Sequence, residues 1–258
     1  MPGASVVRVL DKGMLADQHG NGMEFIVLEK AEIPVQDYLD SATSAKERRS
    51  RVCEIALQML KGIADLHALG LLHRDLKPDN MALTKGQGNT EKGKADNERR
   101  PITLLFDLGM SRMYTDGEGA IRPPRSVVPF RGTPEWASGH AAKGREQTRF
   151  DDLIAWLYVI VELFDRKETN QPLPWTYRTN SKAASLLKST FLPARHLLRY
   201  CPSQFYSINA YLQTANRQKP PDYGFIADRL REAMEEVRKQ PEDGPPKKSS
   251  SSGNNPQT

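Results

Sequence analysis

His73-Arg74-Asp75-Leu76-Lys77-Pro78-Asp79-Asn80 brings a carboxylate, a cation and a side-chain amide into one short polar stretch. That trio suits phosphoryl transfer to a hydroxyl. The carboxylate accepts the hydroxyl proton, the cation offsets phosphate charge, and the amide oxygen ligates a metal ion. In the spacing H-R-D-x-x-x-x-N, Asp75 takes the first role, Lys77 the second and Asn80 the third. Such chemistry calls for a further metal-binding carboxylate on a separate element downstream. Ile102-Thr103-Leu104-Leu105-Phe106 reads as a buried strand, and Asp107-Leu108-Gly109 follows it where that carboxylate belongs. The two motifs in order are far more specific than either alone.

The elements that must position these residues are legible around them. Ser44-Ala45-Lys46-Glu47 has capping-box spacing, and Val52, Ile55, Ala56, Met59, Leu60, Ile63 and Leu66 recur behind it at three and four residues. A long amphipathic helix is expected there, ended by Gly70 as a left-handed cap and delivering Leu71-Leu72 to the polar stretch. Met81-Ala82-Leu83 reads as a short strand. Upstream, Ser5 to Leu10 is rich in β-branched residues and meets a turn signal at Asp11-Lys12-Gly13, while Gly20-Asn21-Gly22 precedes a second strand, Met23 to Leu28. An antiparallel pair follows. Such a ribbon is marginal alone in water and must lean on the rest of the domain.

Lys85 to Arg100 is polar except for Ala95 and reads as a solvated insertion; its Gly86-Gln87-Gly88 lacks the third glycine and following helix of a phosphate-binding turn. Met110 to Ser138 is broken by repeated Gly and Pro, and a long irregular segment in a compact domain is usually functional. Asp152 opens an expected core helix around Trp156, closed off by Pro172, Pro174 and Trp175. Ser203 to Leu212 and Asp222 to Val237 read as two more helices, and from Lys239 the composition predicts a disordered tail.

Composition bounds the function classes. The 258 residues are 38% hydrophobic, enough for a sizeable core. The net charge of +5 comes from 37 basic and 32 acidic residues interleaved along the chain, which reads as solvated surface and predicts no nucleic-acid partner. The longest apolar block, Leu153 to Phe164, is interrupted by Glu162 and is too short to span a bilayer, so no membrane partner is expected. No secretory signal is read in residues 1–20. Cys53 and Cys201, each in a helical-looking context, predict buried thiols in a reducing compartment, the cytoplasm or the nucleus. Pro245-Pro246-Lys247-Lys248 makes only a weak nuclear signal beside its reading as a solvated tail.

With those residues in view, the chain resembles eukaryotic protein kinases of the casein kinase one superfamily, and within it the tau-tubulin kinase branch. Tyr114-Thr115, Arg122-Pro123-Pro124-Arg125, Phe130-Arg131-Gly132-Thr133, Ala137-Ser138 and Arg149-Phe150-Asp151-Asp152-Leu153 run like that branch's activation segment. Cys201-Pro202-Ser203-Gln204-Phe205 and Lys219-Pro220-Pro221-Asp222-Tyr223 look like its late helices, so the resemblance covers about residues 5–238. It implies an α+β kinase-like fold: residues 1–40 as a remnant of the β-rich small lobe, 41–238 as a mainly helical large lobe and 239–258 as tail. It implies ATP and Mg²⁺ as cofactors and a protein as substrate. Asp75 would be the base, Lys77 the phosphate contact, and Asn80 and Asp107 the magnesium ligands. Thr133 would touch the Asp75–Lys77 pair and help seat the phosphoacceptor, and Asp152 would brace the catalytic loop. Leu28 would be the gatekeeper, Glu29 to Ala31 the hinge, and Ala82 would lie beneath the adenine.

The departures from that pattern carry expectations too. A complete small lobe supplies a Gly-rich loop, a strand lysine and a helix glutamate. None precedes Ser5, and Lys30 would sit on the wrong strand to replace the lysine, so the pair of strands corresponds to the last two of that lobe. Leu108 replaces the usual phenylalanine, and Glu135 stands where the branch carries an arginine for acidic or phosphorylated substrates. Two functions are therefore weighed: a serine/threonine protein kinase represented by an incomplete catalytic domain, and an inert pseudokinase serving as a binding module. The intact Asp75, Lys77, Asn80 and Asp107 favour the first.

Overall fold

The computed structural model describes residues 6–84, 101–165, 173–176, 184, 186–188 and 194–241. Strands β1 (Val9–Ala16) and β2 (Gly22–Leu28) pair antiparallel, with Gly13 opposite Phe25. The expected turn at Asp11-Lys12-Gly13 is instead the middle of β1. The chain reverses at Asp17–Asn21, where the Asp17 carboxylate accepts from the backbone N–H of His19 and of Asn21, both at 2.8 Å. An aspartate bonded to its own downstream backbone is a stronger turn former than Asp-Lys-Gly. Gly13 serves packing: a Cβ there would lie 2.8 Å from the Phe25 ring. Ser5, expected to begin this strand, lies outside the described residues.

Helix α1 (Val35–Asp40) follows β3 (Ile33–Pro34), and α2 (Ala45–Ala68) is the long helix expected from its apolar spacing. Ser44 caps α2 by accepting from Glu47 N at 3.0 Å. The Glu47 carboxylate reaches Thr43 rather than Ser44, accepting from its N–H and hydroxyl at 2.7 Å each. Gly70 follows the helix with φ +77°, and a Cβ there would meet Thr115 Oγ1 at 2.2 Å, so neither the backbone nor the space admits a side chain.

Past β4 (Leu71–Leu72), the strands β5 (Met81–Thr84) and β6 (Ile102–Leu105) complete a three-stranded antiparallel sheet in the order β3-β5-β6. The 110–138 segment is less irregular than expected, since β7 (Arg112–Met113) pairs with β4. Short helix α3 (Gly139–Ala142) leads to α4 (Arg149–Asp165), which starts three residues before the expected Asp152 and is buried from Phe150 to Asp165. Trp156 at its centre is fully buried and donates to Ala56 O of α2 at 3.2 Å. Helices α5 (Ala194–Leu197), α6 (Gln204–Thr214) and α7 (Tyr223–Lys239) close the core, with α7 and α4 both packed on α2. Cys53 is buried on α2; Cys201 is also a free thiol but lies in the bend between α5 and α6, not on a helix as expected. The result is an α+β fold, with helices forming one core and the small sheet placed where β5 and β6 flank the polar stretch. The 85–100 tract, Pro172 and the tail after Pro241 lie outside the described residues. Among the described residues, no helix is long and apolar enough to cross a membrane.

Candidate active site

The polar stretch emerges from β4 and is fixed from below by α4. Asp152, buried near the start of α4, accepts from His73 N and Arg74 N at 2.8 Å each. Its Oδ2 also lies 2.9 Å from His67 Nε2, and His67 Nδ1 lies 2.6 Å from the Tyr223 hydroxyl of α7. Three helices, α2, α4 and α7, and the loop thus share one buried polar network, which a low-dielectric interior makes costly to disrupt. Arg74 takes φ +68°, rare for a residue with a side chain, and its guanidinium donates to Met110 O at 2.6 Å. Burial, then Arg112 and Arg125, push the Arg74 pKa down. Gly132 packs on the same peptide: its φ is +106° and a Cβ would fall 2.5 Å from Arg74 O.

That arrangement presents Asp75, 8% exposed, to three partners. The Thr133 hydroxyl donates to Oδ1 at 2.7 Å, Lys77 Nζ lies 3.5 Å from Oδ2, and Asn80 Nδ2 lies 3.4 Å from Oδ2. Asn80 Nδ2 also donates to Asp75 O at 2.8 Å, which orients the amide and leaves its carbonyl Oδ1 outside these bonds. Lys77 precedes a 3₁₀ turn over Pro78–Asn80 that swings Asn80 back toward Asp75. The spacing of the motif is thereby converted into proximity: Asp75, Lys77, Asn80 and Thr133 meet.

Asp107 joins from β6. Phe106 N donates to Asn80 O at 3.1 Å, so the end of β6 is stitched to the polar stretch. Asp107 has φ +60° and is exposed. Among the described residues, Arg74 and Asp107 are the two non-glycine residues with positive φ. Strain of this kind costs on the order of 1–3 kcal/mol and gathers at functional sites. A carboxylate and an amide oxygen on adjoining segments match the hard oxygen ligands a divalent cation such as Mg²⁺ takes.

The residues expected around adenine lie on the sheet and the strand ends. Ala82 is on the central strand β5, opposite Pro34 and Leu104. Leu28 ends β2 and is 42% exposed. Glu29 is held by Arg8: its carboxylate accepts from Arg8 N at 2.8 Å and Nε at 3.0 Å. Ala31 lies between that pair and Glu32, whose N–H donates to Leu83 O at 2.9 Å. The 29–31 link therefore leads to β5, which the chain meets at Leu83.

Several positioning residues gave no sequence signal. His67 and Tyr223 sit in ordinary helical patterns. Glu146 is gripped by Arg125, at 2.6 and 3.0 Å, with Arg112 at 3.5 Å. The bond from Arg125 holds the Glu146 carboxyl below its usual range. Lys188 is partly buried against residues 134–137, and that burial pushes its ammonium down to about 7.

The amino-acid sequence matches the family model of the protein kinase domain over residues 13–200. A probable serine/threonine-protein kinase of Dictyostelium discoideum is 26% identical over 206 residues, covering 80% of this chain and 38% of that protein. The serine/threonine-protein kinase spe-6 of Caenorhabditis elegans is 28% identical over 190 residues, 71% of this chain and 46% of its own length. A putative casein kinase I of the same organism is 29% identical over 164 residues, 64% of this chain and 44% of its own. The chain spans less than half the length of these relatives. With the family match running from β1 through the Asp75 cluster to the start of the late helices, the chain belongs to the protein kinase domain family.

Proposed function

We propose that this chain carries the catalytic centre of a serine/threonine protein kinase, which moves the γ-phosphoryl of ATP to a protein hydroxyl. The observation that carries the proposal is the Asp75 carboxylate, held by Thr133 at 2.7 Å with Lys77 and Asn80 beside it. Asp75 accepts the proton of the incoming hydroxyl, and Lys77 offsets charge on the phosphoryl oxygens. Thr133 fixes the Asp75 rotamer through Oδ1, which leaves Oδ2 as the oxygen turned toward Lys77 and Asn80. Asn80 Oδ1 and Asp107 would hold Mg²⁺, which would supply neutralisation of the phosphate charge. Leu28, Glu29, Ala31 and Ala82 form the adenine side of the site.

We place the protein, more finely, in the casein kinase one superfamily near the tau-tubulin kinases. The activation-segment residues and the 29% identity to a putative casein kinase I support this. On the same reading, residues 1–40 are the last strands and hinge of a small lobe, 41–238 the large lobe and 239–258 a tail. Free thiols at Cys53 and Cys201 suit the cytoplasm or nucleus. The test supplies a complete small lobe ahead of residue 6 and incubates the protein with Mg-ATP and a panel of serine, threonine and tyrosine peptides. Mass spectrometry should find phosphate on serine or threonine; phosphate on none, or on tyrosine alone, overturns the proposal.

A further inference from the structure

The loop that follows Thr133 is held by a cation from a distant part of the chain. Lys188 Nζ donates to the carbonyls of Pro134, Glu135 and Ala137 at 2.6, 2.7 and 2.7 Å. An ammonium has three N–H donors, and here all three are spent on one loop. Beneath it lie two aromatic faces, Trp175 at 4.9 Å and Tyr158 at 5.4 Å from Nζ to ring centroid. The Trp175 indole N–H meanwhile donates to Glu135 O at 2.7 Å, so that carbonyl is held twice. The loop closes on itself through Trp136 N and Ala137 N, which donate to Thr133 O at 3.2 and 3.1 Å. Thr133 in turn bonds Asp75 at 2.7 Å. A continuous set of contacts runs from Lys188 through the loop to the carboxylate that meets the substrate.

We infer that Lys188 is a positioning residue for the protein substrate: it fixes residues 134–137 as the rigid surface against which the segment carrying the acceptor hydroxyl is laid. This rests on the kinase proposal above. A hydroxyl must come within hydrogen-bond reach of Asp75 to be deprotonated, and the loop next to Thr133 borders that approach. Lys188 also differs from a surface anion binder, because its charge is spent on carbonyl oxygens. Glu135, on the same loop, is the acidic group that faces it. Without the ammonium, the carbonyls of Pro134 and Ala137 lose this donor and Glu135 O keeps only the Trp175 indole, which is costly enough to make the loop move.

The test substitutes Lys188→Met, which keeps the length of the side chain and removes the donors. Hydrogen exchange on the full chain reads the amides of Trp136 and Ala137. The inference predicts at least about tenfold faster exchange there, with the amides of α2 unchanged. Equal protection in parent and variant overturns it. Steady-state transfer to a serine peptide, in the protein with a complete small lobe, supplies the second readout. The peptide KM should rise about tenfold while the ATP KM stays within about twofold. Unchanged peptide KM with only a lower melting temperature marks Lys188 as a stabilising residue and overturns the inference. Should Lys188→Met fail to fold, Trp175→Phe, which removes one donor to Glu135 O, must show the same pattern in milder form. If the parent itself transfers no phosphate, the kinase proposal fails while the exchange measurement still decides whether Lys188 fixes the loop.

Discussion

On the proposed reading Asp107 would offer Mg²⁺ a charged oxygen ligand and Asn80 a neutral one, and that difference makes their substitutions separable. Asp107→Asn removes charge from the metal site and should weaken nucleotide binding about tenfold or more with Mg²⁺ present, yet little in EDTA. Isothermal calorimetry with and without the metal checks this, and equal weakening in both conditions counts against a metal role. Glu135 bears on substrate choice. Its carboxylate replaces an arginine of the resembled branch, and the nearby Lys188 ammonium is committed to carbonyls. Acidic or phosphorylated substrate flanks should therefore be disfavoured, and Glu135→Arg should improve their relative kcat/KM severalfold over neutral flanks. A peptide panel in which the parent already prefers acidic flanks, and Glu135→Arg changes nothing, removes the argument. The meeting of Asp75, Lys77 and Asn80 could be expected from sequence because it follows from local spacing. His67 and Lys188 could not: His67 finds Asp152 across 85 residues and Lys188 its carbonyls across 51 to 54, and nothing local marks either.

The elements were legible where periodicity was long. The apolar spacing of α2 and α7 located both helices, and the Ser44 cap formed where its pattern stood. The ribbon turn was misplaced because Asp11-Lys12-Gly13 has turn composition, while the Asp17 side-chain bonds and the Phe25 ring over Gly13 decide the matter. The start of α4 depends on a second buried acid that no pattern exposed. Asp151 is contacted by Arg217 at 2.8 Å, by His140 at 3.5 Å and by the Ser138 hydroxyl. Burial alone would raise its pKa, but His140, Arg217 and Ser138 together bring it down to about 2 from 3.8. The unfolded chain therefore takes up the proton first as pH falls. The stabilisation, on the order of 2 kcal/mol, is present above about pH 4 and is lost as pH drops through about 2. Arg217→Met should cost about 2 kcal/mol at pH 7, and the gap from the parent in urea unfolding should shrink as pH falls from 5 to 3. A gap independent of pH argues against an electrostatic cause.

At the scale of the whole molecule, the helical core and the β1–β2 ribbon are unlike. The core buries large side chains such as Trp156, Phe150 and Phe205, whereas Leu10, Met14, Met23 and Ile26 of the ribbon are each about 60% exposed or more. A two-stranded ribbon with exposed apolar side chains invites association. This chain alone should form concentration-dependent oligomers in light scattering; a monodisperse, cooperatively melting monomer would contradict that.

If Asp75 is the base of a phosphoryl transfer, Asp75→Asn removes the transfer and spares nucleotide binding. The substitution keeps the shape of the side chain and removes the acceptor charge. In the protein with a complete small lobe, transfer to a serine peptide and Mg-ATP affinity are measured side by side. The account predicts a loss of transfer of at least about a thousandfold with ATP affinity within about twofold of the parent. Transfer that persists within a fewfold of the parent would contradict it.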